Sequence, residues 1–235
     1  MLATEQKSGL LNPAGLLGKQ FLKLIKIFKL WVLRDPKAIA IQRWRKHYRH
    51  TNILHDFPLN EDSVVFDVGG YRGDYAQTII ACYGSQVYLF EPSKLFYDHC
   101  QRRFSSEARV ACLNYGLSDR NVQARLSRND DGSSVYSSSE AGQELIQLRK
   151  FSEVVEGLGI QTIDLIKLNI EGGEFPVLND MISSGCLSKV KRLVIQFHDF
   201  YPNAEVEREA IRNELRKTHR ELWCEYFLWE CWERL

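Results

Sequence analysis

The 235 residues of the chain, 44% hydrophobic and 26% charged, are enough for one globular domain with a short appendage. The net charge of +1 hides an asymmetry, because residues 1–50 carry eleven Lys and Arg against two Asp and Glu, which leaves the body acidic. An acidic body without a basic stripe argues against nucleic acid as a partner. We therefore predict a basic N-terminal arm with a connector, residues 1–50, and one folded domain, residues 51–235.

The six cysteines and the apolar segments indicate the cellular compartment of the protein. None of the cysteines forms a C-x-x-C pair or a zinc-spaced cluster with histidine, so we predict reduced thiols and no metal site. The sequence has no signal-peptide pattern and no apolar run of the ~18 residues that a membrane span needs. These features predict a cytoplasmic protein.

The N-terminal arm contains an amphipathic segment, residues 17–34, in which a lysine recurs every third residue at Lys23, Lys26 and Lys29. At ~100° per residue these lysines share one side of a helix, and large apolar residues occupy the opposite side. One interpretation is a helix lying on an anionic membrane surface, which would make the protein membrane-peripheral. The other is a helix that packs on the domain or on a second copy.

Beyond the arm, short apolar runs alternate with helical patterns of about ten to fifteen residues. This alternation predicts βαβ units, hence an α/β sandwich with a mostly parallel central sheet and helices on both faces. The dense aromatic residues of the tail predict late antiparallel strands at the sheet edge. Strands are predicted at 64–68, 86–90, 144–151, 163–170 and 192–198, with a further strand and its trailing loop over 109–118 and an exposed strand with a flexible loop over 122–139. Helices are predicted at 75–83, 94–104, 152–159, 174–185 and 205–219.

A glycine turn follows the first strand, with the spacing Gly69-Gly70-x-x-Gly73. It matches neither the phosphate loop G-x-x-x-x-G-K-[ST] nor the dinucleotide pattern G-x-G-x-x-G. Asp67 stands directly before the turn, where a carboxylate would repel a pyrophosphate but would suit an ammonium or sulfonium group. S-adenosyl-L-methionine carries both of these groups, so the turn predicts this cofactor.

Acidic residues also follow the next two strands. Glu91 ends the second strand, where a carboxylate accepts hydrogen bonds from ribose hydroxyls. Asp119, beside Ser118, follows the third strand and is placed to accept from an adenine amino group. Because ligands of parallel sheets bind outside the carboxyl ends of the strands, we expect these residues, Asn169 and His198 to share one site.

Five motifs together resemble the FkbM-type S-adenosylmethionine-dependent methyltransferases: "FDVGGYRGDYAQTI", "VYLFEPS", "LNYGLSD", "IDLIKLNIEGGEFPVL" and "QFH". The resemblance covers about residues 62–200. It implies a Rossmann-like class I methyltransferase fold and methyl transfer to a hydroxyl of a small molecule or a saccharide. Two departures stand out, residues 70–72 in the glycine turn and Asn169 in place of the family's aspartate, which makes a divalent-metal site less expected.

Methyl transfer to a hydroxyl requires the acceptor to be positioned and its proton to be removed. His198, at the end of the fifth strand, is the predicted general base. Glu171 and Glu174 follow the fourth strand and are predicted to orient His198 or to hold a substrate hydroxyl. Lys167 lies within that strand and needs a carboxylate partner, for which Glu171, Glu174 and Asp164 are the candidates.

Two other functions remain open from the sequence. One is a nucleotide-dependent oxidoreductase, although the missing G-x-G-x-x-G and the acid before the turn count against it. The other is a methyltransferase-like protein that binds the cofactor without turnover, which the departure at Asn169 permits. The sequence predicts neither the identity of the acceptor nor the oligomeric state.

Overall fold

The structure is a computed structural model, and it describes residues 25, 28–30, 32–48, 50–126 and 144–235. The strands are β1 Val64–Val68, β2 Gln86–Phe90, β3 Val110–Leu113, β4 Gly116–Ser118, β5 Val122–Leu126, β6 Glu144–Lys150, β7 Leu165–Leu168, β8 Arg192–Ile195, β9 His219–Glu225 and β10 Trp229–Arg234. The named helices are α1 Pro36–His47, α2 Asp74–Tyr83, α3 Lys94–Arg103, α4 Phe151–Gly157, α5 Glu174–Ser183 and α6 Ala204–Leu215.

Seven of these strands form the central sheet, in the order β3-β2-β1-β7-β8-β10-β9. Neighbouring strands from β3 to β8 run parallel, whereas β10 is antiparallel to both β8 and β9. The order reverses direction between β1 and β7, so a crevice opens at their carboxyl ends. The fold is the expected α/β sandwich with a mostly parallel central sheet, and the late antiparallel strands are confirmed.

Helices cover both faces of this sheet because the strands are apolar on both sides. Alternate residues of β1 enter different cores: Phe66 packs with residues of α4, α5 and α6, and Val65 packs with residues of α2 and α3. Both side chains are fully buried. Strands that are buried on both faces are typical of parallel sheets, which explains the near-continuous apolar runs of β1 and β7.

A second, three-stranded sheet has the order β4-β6-β5. The sequence predicted one strand and its trailing loop over 109–118, but the structure has two strands there, β3 in the central sheet and β4 in the smaller one. Tyr115, between the two strands, is buried against Phe90 with 5.8 Å between ring centroids. The smaller sheet therefore stands beside the carboxyl end of β2.

The N-terminal region contains a helix within the predicted arm and connector. Asp35 accepts hydrogen bonds from the amides of Lys37 and Ala38 and so begins α1, at 2.9 and 3.1 Å. The helix contacts β9 through Trp44 and Trp223, whose ring centroids are 6.2 Å apart. Most of the predicted amphipathic segment lies outside the described residues, so the division at residue 50 stays a prediction. No helix in the described ranges is long and apolar enough to span a bilayer.

Candidate active site

A cavity of about 380 Å³ lies at the carboxyl ends of the central strands, where the smaller sheet closes one side. Its volume falls in the range of small-molecule sites. Apolar side chains make up most of its wall, with a few polar groups among them. The wall includes Val68, Gly69, Tyr71, Phe90, Glu91, Phe96, Leu117, Ser118, Leu126, Ile146, Leu148, Asn169, Ile170, Glu171 and Pro176.

The glycine turn brings backbone to the edge of this cavity. Gly69 has a φ of +83°, and a Cβ atom there would overlap the backbone carbonyl oxygen of Asn169. The amides of Gly69 and Gly70 both donate to the carbonyl oxygen of Phe90, at 3.0 and 3.1 Å. Gly70 and Gly73 are not in the cavity wall: Gly70 packs against a side chain of β2, and Gly73 begins α2 with a φ of +80°. Only the first glycine of the turn offers backbone to a ligand.

Asp67 and Lys167 pair with each other under the turn rather than facing the cavity. Lys167 Nζ lies 2.9 Å from Asp67 Oδ1 and donates to the carbonyl oxygen of Gly69 at 2.7 Å. The pair is buried, with 8% and 0% side-chain exposure. Neither residue is in the cavity wall. The predicted contact of Asp67 with the cofactor and the predicted catalytic role of Lys167 do not follow from this geometry, and the partner of Lys167 is none of the three acids expected.

Glu91 faces the cavity as expected for a ribose-binding residue. Its Oε2 accepts from the amide of Tyr71 at 2.8 Å, and its Oε1 accepts from the amide of Ser93 at 2.9 Å. Burial raises the pKa of Glu91 to about 7, although the two amides oppose the shift. Each carboxylate oxygen keeps a second lone pair for a ligand hydroxyl. Glu91 is therefore able to accept two further hydrogen bonds.

An aromatic pair beside Glu91 was missed by the sequence analysis. Tyr71 stands at a φ of +50° and its ring centroid is 4.4 Å from that of Phe96. Both residues line the cavity. The signal for Tyr71 was its departure from the family pattern of the glycine turn, whereas Phe96 lies in α3, where an aromatic residue is ordinary.

Ser118 and Asp119, at the end of β4, have different surroundings. Ser118 is in the cavity wall, but Asp119 is not. The guanidinium of Arg120 binds both carboxylate oxygens of Asp119, at 2.9 and 3.0 Å, and lowers the pKa of that carboxyl. The predicted contact of Asp119 with an adenine amino group does not follow from this arrangement, because Arg120 holds the carboxylate.

The loop after β7 is held by Glu174, the first residue of α5. Its carboxylate accepts from the amides of Ile170 and Gly172, at 2.7 and 2.9 Å, and it is fully buried. This support keeps Glu171 in the left-handed region, at a φ of +52°, a conformation that costs a non-glycine residue ~1–3 kcal/mol. Glu171 thereby lines the cavity, whereas Glu174 acts through the loop.

Asn169 begins the same loop and also lines the cavity. Its side-chain oxygen is buried and has no hydrogen-bond partner among the residues that the structure describes. Because an unpaired buried acceptor is costly, the position calls for a donor from a ligand. An ammonium or a hydroxyl group would meet that requirement.

His198 follows β8 and lies between the two glutamates, as the sequence predicted. Nδ1 is 3.0 Å from Glu174 Oε1, and Nε2 is 3.5 Å from Glu171 Oε1. Burial lowers the pKa of His198, but the hydrogen bonds and charges of both glutamates outweigh it and raise the pKa to about 10. The ring is thus an imidazolium at neutral pH. The general-base role predicted for His198 requires a neutral ring, so this geometry does not support it.

The described residues contain no group of three or more His, Cys, Asp or Glu side chains arranged to hold a metal ion. The arrangement instead offers a backbone edge at Gly69, a carboxylate at Glu91, an unpaired amide oxygen at Asn169 and a carboxylate at Glu171. These groups are typical of a site for a polar, positively charged organic molecule.

Comparison with known proteins adds a family, a relative and distant structures. The family model described as the methyltransferase FkbM domain matches residues 67–222. A segment of 73 residues is 30% identical to the AMB antimetabolite synthetase AmbE of Pseudomonas aeruginosa, covering 31% of this chain and 3% of that protein. The chain thus spans a small part of the length of this relative.

Three solved structures illustrate the distant likenesses. A methyltransferase-like protein from Streptococcus mutans in complex with SAH has 9% identity and a TM-score of 0.45, covering 75% of this chain and 91% of that one. An rRNA methylase from Streptococcus thermophilus has 14% identity and a TM-score of 0.42, with 75% and 89% covered. A fibrillarin/Nop5p complex has 12% identity and a TM-score of 0.48, with 87% and 84% covered. With all TM-scores below 0.5, these structures do not bear on the substrate.

Proposed function

The chain belongs to the FkbM methyltransferase family and is an S-adenosylmethionine-dependent methyltransferase, and from this premise we propose that it methylates a hydroxyl group of a small molecule or a glycan. The observation that carries the proposal is the placement of Glu171. Glu171 lines the cavity, as does Asn169, whose buried amide oxygen has no partner among the described residues. A carboxylate in this wall suits a substrate that arrives with a hydroxyl donor.

The cavity residues fit the cofactor. Gly69 leaves room where a Cβ atom would overlap the chain, Glu91 has lone pairs for ribose hydroxyls, and the orphan oxygen of Asn169 suits the ammonium group. Ser118 lies in the same wall. When bound, S-adenosylmethionine supplies a methyl group on a sulfonium that is already activated for displacement. The protein therefore has to place the acceptor in line and receive its proton.

We assign Glu171 as the group that accepts the proton of the acceptor hydroxyl. A hydroxyl oxygen that gains a methyl group must lose its hydrogen, and an ionised carboxylate in the wall is able to accept it. His198 cannot do so while it is an imidazolium, but its Nε2 lies 3.5 Å from Glu171 Oε1 and helps to position that carboxylate. In this proposal His198 and Glu174 are positioning residues and Glu171 is the catalytic one.

The nature of the acceptor has one further support. The relative AmbE is named for the synthesis of an antimetabolite, which is a small molecule. The cavity wall agrees with such a substrate, because aromatic and aliphatic side chains surround its few polar groups.

The test is turnover with the full chain and methyl-labelled S-adenosylmethionine. Three acceptor panels are compared by mass spectrometry: hydroxylated small molecules and saccharides, their amine analogues, and ribosomal RNA. We expect labelled product and SAH only with the hydroxyl panel. Methylation of amines or of RNA would overturn the hydroxyl assignment. Tight cofactor binding with no turnover on any panel would favour the non-catalytic alternative.

A further inference from the structure

Glu144, the first residue of β6, joins the smaller sheet to the start of α3. Its Oε2 accepts from the hydroxyl of Ser93 at 2.9 Å, and its Oε1 accepts from the amide of Lys94 at 2.7 Å. The amide of Ser93 also donates to Glu91 Oε1, at 2.9 Å. One serine therefore connects the carboxylate of the cofactor site with a carboxylate of the smaller sheet.

These contacts cap α3 from outside the helix. Ser93 is the N-cap residue, and a serine there usually accepts a hydrogen bond from an amide of the first turn. Here its side chain makes no such bond, and its hydroxyl donates to Glu144 instead. Glu144 also accepts from the amide of Lys94, the first helical residue, where the helix dipole favours a negative charge. The smaller sheet thus supplies the cap that Ser93 would otherwise provide.

The side chain of Glu144 is on the face of β6 that closes the cavity. Successive side chains of a strand point to opposite faces, so Glu144 shares a face with Ile146 and Leu148. Both of these residues line the cavity. Leu126, which is opposite Glu144 in the antiparallel pair of β5 and β6, lines it as well. The link to α3 therefore lies at the same end of the smaller sheet as this apolar wall.

The two ends of β6 are attached to the rest of the domain in different ways. One end continues directly into α4, which begins at Phe151. At ~3.3 Å per residue, the other end, at Glu144, is roughly 20 Å away from that attachment. Leu126 and Ile146, near this end, are buried but belong to neither core of the central sheet. The carboxylate of Glu144 ties this end to the start of α3.

We propose that Glu144 is a positioning residue that holds the smaller sheet over the bound cofactor. Release of SAH, the product that remains after methyl transfer, then requires its two hydrogen bonds to break. A cofactor bound at Glu91 lies beside this link, because Ser93 contacts both glutamates. Release is measured with no acceptor present, so its outcome is independent of whether the acceptor is a hydroxyl.

The experiment measures the dissociation of radiolabelled SAH from the full chain in the presence of excess unlabelled SAH. Glu144→Ala should raise the dissociation rate roughly tenfold or more, because two hydrogen bonds to a charged group are lost. Glu144→Gln should stay within a few-fold of the wild type, since its amide oxygen accepts from Lys94 and its amide nitrogen donates to the Ser93 hydroxyl oxygen. Glu144→Asp keeps the charge but is one methylene shorter, so it should give an intermediate rate.

Gln147→Ala is the matched control, because Gln147 is in the same strand but its exposed side chain is on the opposite face. It should release SAH as the wild type does. Hydrogen exchange of the SAH complexes is the second measurement. In Glu144→Ala, residues 122–126 and 144–148 should exchange faster, whereas β1 and β2 should stay protected.

The proposal is overturned if Glu144→Ala releases SAH at the wild-type rate, if Glu144→Gln releases it as fast as Glu144→Ala, or if Gln147→Ala is equally fast. It is also overturned if faster exchange extends to β1 and β2, because the substitution then destabilises the whole domain. Circular dichroism establishes that each variant is folded. If Glu144→Ala does not fold, Glu144→Asp decides, and a wild-type dissociation rate in that variant overturns the proposal.

Discussion

Gly69 and Asn169 follow two different strands and approach so closely that a Cβ atom on the glycine would lie 2.2 Å from the backbone carbonyl oxygen of the asparagine. The contact joins the turn after β1 to the loop after β7, and both line the cavity. The geometry of the cofactor site therefore depends on a contact that has no room for one methyl group.

We expect Gly69→Ala to destabilise the protein by roughly 3 kcal/mol or more and to abolish cofactor binding, because it adds overlap to an unfavourable positive φ. Gly159→Ala is the control, since Gly159 has a φ of +68° with no atom within 4 Å. It should cost only about 1 kcal/mol and leave binding intact. Urea unfolding and calorimetry measure both quantities. Equal effects of the two substitutions would show that the contact with Asn169 is unimportant.

Glu91 makes cofactor affinity pH-dependent. Its pKa is raised by burial to about 7, whereas ribose hydroxyls donate to the ionised form. Bound cofactor should lower that pKa, so binding should release a proton and tighten as pH rises through about 7. Calorimetry in buffers of different ionisation enthalpy measures the proton. Glu91→Gln should bind more weakly, by roughly 1.5–3 kcal/mol, and lose the pH dependence. If the variant keeps the wild-type slope, another group is responsible.

His198 should titrate far above the range of an ordinary histidine. Its folded pKa of about 10 exceeds the unfolded value of 6.5, so the stability it contributes is complete below about pH 6.5 and is lost as pH rises through about 10. Nuclear magnetic resonance of the imidazole carbons should give a midpoint above about pH 9. A midpoint near pH 6.5 would restore the general-base role predicted from the sequence.

Glu171 and Glu174 should fail in different ways when each is changed to glutamine. Glu171→Gln should lower turnover by ~10²–10⁴ with the cofactor dissociation constant nearly unchanged, because it loses the proton acceptor. Glu174→Gln should instead lower the midpoint of unfolding, since one of its oxygens becomes an amide that cannot accept the loop N–H. Turnover within a few-fold of wild type in Glu171→Gln, on the true acceptor, would refute the assignment.

Lys167 should be needed for stability through Asp67. Lys167→Met leaves a fully buried carboxylate without its cation and should cost ~3–5 kcal/mol. The double substitution Asp67→Asn with Lys167→Met should recover part of that loss, because no charge is then buried unpaired. A double-mutant cycle by urea unfolding measures the coupling. Additive losses would mean that the two residues act separately.

The central strands could be predicted from the sequence because their apolar runs are local features. The strands Val64–Val68 and Gln86–Phe90 have the bounds that the sequence predicted. The second strand within 109–118 could not be predicted, because β4 is only three residues long and is defined by the sheet that it joins. Pairing partners are a property of the whole fold and not of a window of residues.

The candidate site could likewise be predicted only in part from the sequence. Glu91, Asn169 and Glu171 were placed at the cavity from their positions at strand ends, a rule that topology supports. The partner of Lys167 was missed because it depends on register: Asp67 is the residue opposite it in the parallel pair of β1 and β7. The protonation of His198 was missed because it arises from two carboxylates brought together by folding.

The position of β10 between β8 and β9 has a consequence for synthesis on the ribosome. β9 has β10 as its sheet neighbour, so it cannot join the sheet until residues 229–234 have been made. Helix α1 packs on β9 through Trp44 and Trp223, so its docking waits as well. Helix α1 is thus translated early but docks late. Until it docks, Trp44 is exposed to chaperones and to non-native contacts.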